Sequence, residues 1–219
     1  MVVIVDYGMG NLRSVQKAFE RVGCDARVSD RPEEVARAAR LVVPGVGAFG
    51  GAMAALRQRG LVDPIREFIA AGRPFLGICL GLQVLFEESE EVAESPEAMA
   101  QARGAPLPKG LGLLAGRVVR FGPTVVAQGL KVPHMGWNRV ERVRPSPLFE
   151  GMAQEEAYFY FAHSYYAAPQ DDRMVVGRTD YGGPFASAIA SGHIWATQFH
   201  PEKSQAAGLK VLENFVKRS

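Results

Sequence analysis

Cysteine is scarce in this chain: there are two in 219 residues, Cys24 and Cys79. Two thiols cannot supply the disulfide framework on which small secreted domains rely. Long apolar runs are also missing, and none reaches the roughly 18 residues that a membrane span requires. Charge of one sign is lacking as well: 25 Lys and Arg stand against 23 Asp and Glu, dispersed along the chain. Nothing in that balance points to nucleic acid or another polyanion. No basic leader precedes the first apolar segment, Val2–Val5, and a cytoplasmic protein is expected. Histidines number four, so chemistry that needs an imidazole near neutral pH has few candidates.

What is present fits an ordinary globular protein, with 47% apolar and 22% charged residues. The length suffices for one large domain with a sizeable core, and no repeat or linker divides it, so residues 1–219 are expected to form a single domain. Val2–Val5, continuous rather than alternating in hydrophobicity, and Phe75–Ile78 read as short buried strands, with Ala26–Ser29 and Leu41–Val43 as two more strands. Helical spacing lies between them, at Leu12–Val22, Glu33–Arg40, Ala52–Arg59 and Asp63–Ala71. This alternation predicts an α/β fold: an open, mostly parallel sheet flanked by helices in three layers, flavodoxin-like. The acid-rich segment Glu87–Gly110 reads as a solvated helical excursion or mobile loop. Beyond it, Gly116–Phe121, Lys131–Pro133, Asn138–Arg142, Ala157–Phe161, Met174–Thr179, Phe185–Ala190 and His193–Phe199 predict further strands, antiparallel in part. Ser191-Gly192 reads as a two-residue hairpin turn, and Gln205–Lys217 as a final helix.

Three βα loops are rich in glycine: residues 6–11, 44–51 and 77–81. In such sheets, sites gather at the carboxyl ends of the strands. Gly77-Ile78-Cys79-Leu80-Gly81 is a thiol version of the nucleophile elbow, in which a strand turns at once into a helix. Glycine is needed on both flanks, because side chains there would collide. The helix N-terminus favours thiolate at Cys79, and the Leu80 amide faces any oxyanion formed beside the sulfur. Pro44–Gly51 holds four glycines in eight residues. They permit close backbone approach or a peptide that can flip; no Lys-Ser/Thr follows to complete a phosphate loop. No metal or organic cofactor is expected.

A cysteine nucleophile needs a base. In Gln198-Phe199-His200-Pro201-Glu202-Lys203-Ser204, residues two apart on a strand share a face, so Glu202 can orient His200. His163 is the second choice, and His134, His193 and Cys24 read as structural.

The elbow cysteine, the strand-end His-x-Glu and the Gly-rich loop after Leu41–Val43 together resemble the class I (triad) glutamine amidotransferases. Within that family, the resemblance runs to the glutaminase subunits of imidazole glycerol phosphate synthase. It is carried by residues 6–12, 41–49, 77–83, 133–138, 161–165 and 198–204. The departure is Val92–Pro108, longer than the family pattern. The resemblance implies that Cys79, His200 and Glu202 are catalytic and that the Leu80 and Val46 amides form the oxyanion hole. It implies further that Gly45, Gly47, Gln83, Glu91, Ser164 and Tyr165 surround L-glutamine. Asn11, Trp137, Tyr160 and Lys203 are implied to face a partner, a β/α-barrel cyclase that receives ammonia in a heterodimer. Two other readings are a glutaminase of another ammonia-using pair, such as that of pyridoxal phosphate synthesis, and a catalytically silent regulatory subunit.

Overall fold

In the computed structural model, residues 1–92, 106–152 and 156–218 are described. The chain opens with four strands separated by helices. These are β1 (Val2–Val5), α1 (Leu12–Arg21), β2 (Ala26–Ser29), α2 (Pro32–Arg37), β3 (Arg40–Gly45), α3 (Phe49–Gln58), α4 (Val62–Ala70) and β4 (Phe75–Cys79). A single turn, α5 (Leu80–Gln83), leads into β5 (Phe86–Ser89). The second half is mostly strand: β6 (Leu114–Arg120), β7 (His134–Arg142), β8 (Glu156–His163), β9 (Tyr165–Pro169), β10 (Val175–Asp180), β11 (Pro184–Ser191) and β12 (Ile194–Thr197). The helix Gln205–Arg218 closes the chain.

The main sheet has nine strands in the order β2-β1-β3-β4-β12-β11-β10-β7-β8. Pairing is parallel from β2 to β12 and antiparallel from β12 through β11 to β10, then to β7 and β8. The four residues of β1 are all buried because both faces of the sheet are covered, which is why this strand reads as continuous apolar sequence. Val3, Val5, Leu41 and Val43 face one core with α2, α3 and α4; Val2, Ile4, Val42 and Leu76 face the other with α1 and the last helix. On that second face Phe19 meets Phe215 edge-on at 6.3 Å, a contact worth about 1 kcal/mol beyond its area.

Several expectations are corrected. The helix that follows the nucleophile elbow is a single turn, Leu80–Gln83, because Phe86–Ser89 is drawn into pairing with β6. A second sheet, β5-β6-β9, results. The ends of the predicted 87–110 excursion are tied together, with the Ser89 amide donating to Pro108 and the Gly110 amide to Glu87. Residues 93–105 of that excursion lie outside the described residues. Lys131–Pro133 is not a strand but the lead into β7, and Pro123–Ala127 forms a short helix not foreseen. The hairpin turn sits one residue later than expected, at Gly192-His193 between the paired Ser191 and Ile194, with Gly192 at φ +57°. Among the described residues no helix is long and apolar enough to cross a membrane.

Candidate active site

Sheet register sets up the site. The last pair between β3 and β4 is Gly45 with Cys79, so the Gly-rich loop after β3 lies directly beside the thiol. Cys79 has φ +54°, ψ −107°, a conformation that costs a non-glycine residue ~1–3 kcal/mol. Its flanks explain how that strain is held. A Cβ on Gly77 would lie 2.5 Å from the Gly81 carbonyl oxygen, and one on Gly81 would overlap the Val43 carbonyl. These are backbone atoms with nowhere to go, so both predicted glycines are sterically required.

The loop beyond β3 is equally tight. A Cβ on Gly45 would strike the Tyr7 hydroxyl and sit 2.8 Å from Leu80 Cβ, while Tyr7 donates to the Pro44 carbonyl at 2.8 Å. Close approach, rather than freedom of rotation, is what the structure asks of Gly45. Gly47 adopts φ +98°, in the left-handed region that favours glycine.

His200 follows β12, which lies next to β4. Its backbone is locked: its amide donates to Tyr160, and Ser204 Oγ donates to its carbonyl at 2.6 Å while accepting from the Tyr160 amide at 3.0 Å. The side chains of His200 and Glu202 are 3% and 2% exposed, with Nδ1 2.9 Å from Glu202 Oε1. The carboxylate only accepts, so Nδ1 carries the proton and Nε2 is left for the thiol. Nε2 is buried and turned toward Cys79, close enough for the thiol to bear on the ring, although no partner among the described residues meets strict hydrogen-bond geometry. Burial alone would lower the imidazole; the charge of Cys79 and a hydrogen bond to it, then the hydrogen bond and charge of Glu202, overcome it and raise His200 to about 10. The favoured form of the His200 ring is therefore the imidazolium.

Cys79 and His200 open into one cavity of about 290 Å³. Val46, Gly47, Leu80, Gln83, Glu91, Ser164, Tyr165 and Lys203 line it too. A larger groove of about 700 Å³, at residues 142–151, contains neither cysteine nor histidine and is no rival. Glu91 Oε2 accepts from the Phe49 amide at 2.7 Å, tying the start of α3 to the cavity wall. The Ser164 carbonyl accepts from the Phe121 amide, and the Tyr165 carbonyl accepts from Gln83 Nε2 at 2.8 Å.

His163 reaches the cavity but is no base. Its Nδ1 sits 2.9 Å from the Tyr165 carbonyl and its Nε2 3.1 Å from His134 Nδ1, so both nitrogens are taken. Burial, followed by neighbouring His134, pushes it down to about 3; burial pushes His134 down to about 4. His134 continues to Asn138, and His193 Nε2 meets the Ile69 carbonyl at 2.7 Å, a structural tie between the β11–β12 turn and α4.

Among the sequence-predicted partner residues, Trp137 is 47% exposed, which excludes a core role. It meets Tyr160 edge-on at 6.2 Å, and Lys203 Nζ lies 5.6 Å over the Tyr160 ring. Exposed Met135 and Tyr158 flank this patch along β7 and β8. Asn11 stands apart: it is exposed and caps α1, accepting from the Ser14 amide at 3.3 Å. Sequence reasoning assigned nothing to Tyr7 or Gln198, although Asp6-Tyr7-Gly8 and Gln198-Phe199-His200 both stood in conspicuous motifs.

Residues 3–219 match the family described as glutamine amidotransferase class-I. The chain is 52% identical over 217 residues to imidazole glycerol phosphate synthase subunit HisH of Syntrophotalea carbinolica, covering 98% of each chain. It is 52% identical over 216 residues to the subunit of that name in Methanothermobacter thermautotrophicus, covering 99% of this chain and 98% of that one. Among solved structures, a glutamine amidotransferase crystal structure superimposes with TM-score 0.72 at 21% identity, covering 99% of this chain and 98% of the other. PurLQS from Thermotoga maritima gives 0.71 at 18% identity, covering 99% and 97%; at such identities these two speak for the fold alone. By the full-length match and the relatives with which it shares half its residues, this chain belongs to the class-I glutamine amidotransferase family, in the group of imidazole glycerol phosphate synthase HisH subunits.

Proposed function

We propose that this chain, acting as one catalytic unit over residues 1–219, hydrolyses L-glutamine to glutamate and ammonia. The ammonia passes to the cyclase subunit of imidazole glycerol phosphate synthase. The observation that carries the reading is Cys79 on its strained elbow, sharing a cavity with the buried His200–Glu202 couple.

The chemistry runs as follows. Cys79 Sγ attacks the side-chain amide carbon of glutamine, forming a C–S bond while the carbonyl oxygen becomes an oxyanion. The amides of Leu80 and Val46 receive that charge, each worth ~3 kcal/mol in the barrier. His200 gives its proton to the amide nitrogen, the C–N bond breaks, and ammonia leaves a thioester behind. Water then attacks the thioester and gives a proton to the same imidazole; glutamate departs and the thiolate–imidazolium pair returns. Glu202 orients the imidazole throughout. Gln83, Glu91 and the backbone at Ser164 and Tyr165 form the glutamine pocket, with Gly45 and Gly47 allowing the loop to approach.

Free ammonia is easily lost, so a partner that consumes it gives the reaction its use. The partner proposed is a β/α-barrel cyclase in a heterodimer, docked on the Trp137–Tyr160–Lys203 patch with Asn11 at its margin. It uses the ammonia and a phosphoribulosyl-formimino carboxamide ribotide to make imidazole glycerol phosphate and a carboxamide ribotide, in histidine biosynthesis in the cytoplasm. Glutamine hydrolysis measured with and without the ligand-loaded cyclase tests this. Strong stimulation by the loaded partner, lost in Cys79→Ala, is the expected result. No stimulation would remove the assignment, and full activity in Cys79→Ala would remove the mechanism.

A further inference from the structure

One fully buried polar side chain beside the sulfur has no part in the steps above. Gln198 directly follows β12, with its backbone amide fixed on the Ser187 carbonyl at 2.9 Å. Its Nε2 lies 3.6 Å from Cys79 Sγ. The two ends of an amide side chain look alike, but here the surroundings decide which is which. Gln83 Nε2 is 2.8 Å from the Tyr165 carbonyl oxygen, which can only accept, so that end of Gln83 is the amino group. The same amino group is 3.2 Å from Gln198 Oε1, which is thereby the carbonyl end. The amino end of Gln198 must then face the sulfur. Tyr165 is held in turn by His163 Nδ1–H at 2.9 Å, so the chain of bonds rests on the β8–β9 corner and not on a free side chain.

A thiol sulfur is a weak acceptor and a thiolate a strong one, so a donor fixed at this place favours the anion. We propose that Gln198 is a further catalytic residue, whose Nε2–H donates to the sulfur of Cys79 and holds the attacking anion in line. The bond weakens when the sulfur's charge is shared with carbon in the thioester and strengthens again as glutamate leaves. Its consequence for the rate rests on the glutaminase reading; its effect on the sulfur does not. The other groups facing that sulfur are His200 with Glu202, the Tyr7 phenol and the Ala162 carbonyl at 4.0 Å, with Glu91, His163 and Lys203 along the cavity wall.

The test is alkylation of Cys79 by iodoacetamide, across pH 5–10 and without glutamine, on the full chain carrying Cys24→Ser so that one thiol remains. Gln198→Met keeps the length and removes the donor: its rate profile is expected to move to higher pH, with the rate at pH 7 about tenfold lower. Gln198→Glu, which turns a carboxylate toward the anion, should move the profile further. Profiles that coincide with the parent's in variants of native fold overturn the proposal. Should Gln198→Met not fold, Gln83→Met removes the group that orients Gln198, and a smaller displacement in the same direction is expected; coincidence there overturns the proposal equally. In glutamine hydrolysis with the loaded cyclase, Gln198→Met should lower kcat and leave KM nearly unchanged. A parent protein that hydrolyses no glutamine, yet shows the alkylation displacement between variants, would sink the glutaminase reading and leave Gln198 in place.

Discussion

Two buried histidines line the same cavity, and the fold drives them in opposite directions. His200 lies between a thiol and a carboxylate and is raised to about 10; His163 lies between a carbonyl and another imidazole and falls to about 3. Burial disfavours the cation at both positions. What differs is whether an anion waits on either side. A buried imidazole is thus made into a proton carrier or a neutral strut by its neighbours, and only the first can serve catalysis. The two also bear oppositely on stability. The contribution of His200 is fully present below about 6.5, the ordinary imidazole value, and is lost as pH rises through about 10. That of neutral His163 is present above about 6.5 and is lost as pH falls toward about 3.

The contrast breaks most visibly at the raised histidine. His200→Ala, like Cys79→Ala, should lower glutamine hydrolysis by about 10³-fold or more with the partner present, since members of such a unit fail together. Steady-state assays with a melting curve for each variant check this. Glu202→Gln keeps the hydrogen bond's shape but removes its charge. It should cost about 10²-fold in kcat and flatten the loss of stability between pH 7 and 10. Urea unfolding at several pH values reads the second effect, and a slope equal to the parent's would contradict it. His163→Leu should cost roughly 1–3 kcal/mol of stability, because His134 and the Tyr165 carbonyl lose a partner. It should also flatten the acid limb below pH 6.5 while leaving the pH dependence of kcat as it was. Smallest is Asn11→Ala, which removes the cap of α1 and should cost about 1 kcal/mol, with no change in the chain's own hydrolysis.

The parallel half was open to reading because β1, β3 and β4 are short, mainly apolar runs buried on both faces, while β2, with Arg27 exposed, is the edge strand and carries the weaker signal. The elbow was legible in part for a local reason: Gly77 is crowded by the backbone of Gly81 within the same five residues, whereas the demand on Gly81 comes from the Val43 carbonyl of β3. His200 and Glu202 were readable as a couple from their spacing but not for the strand-alternation reason, since β12 ends at Thr197 and a 3-10 turn, Pro201–Lys203, brings Glu202 back to the His200 ring. The second sheet was not. Phe86-Glu87-Glu88-Ser89 carries two acids in four residues, and Tyr165–Pro169 follows β8 with only Ser164 between them. Each becomes a strand through pairing with β6, a tertiary effect that its own sequence does not announce. The same holds for Gln83 and Gln198, 115 residues apart and joined only by the register of distant strands. Glu91 on the Phe49 amide is a further case, a cap supplied from 42 residues away.

The account stands on sulfur, imidazole and carboxylate sharing one proton economy, and nitrogen-15 NMR of the His200 ring follows that most directly. In the native chain the ring should hold both protons through pH 8, and in Cys79→Ala it should lose one at distinctly lower pH. A ring that titrates near 6.5 in both proteins would mean that no charge passes between the thiol and the histidine.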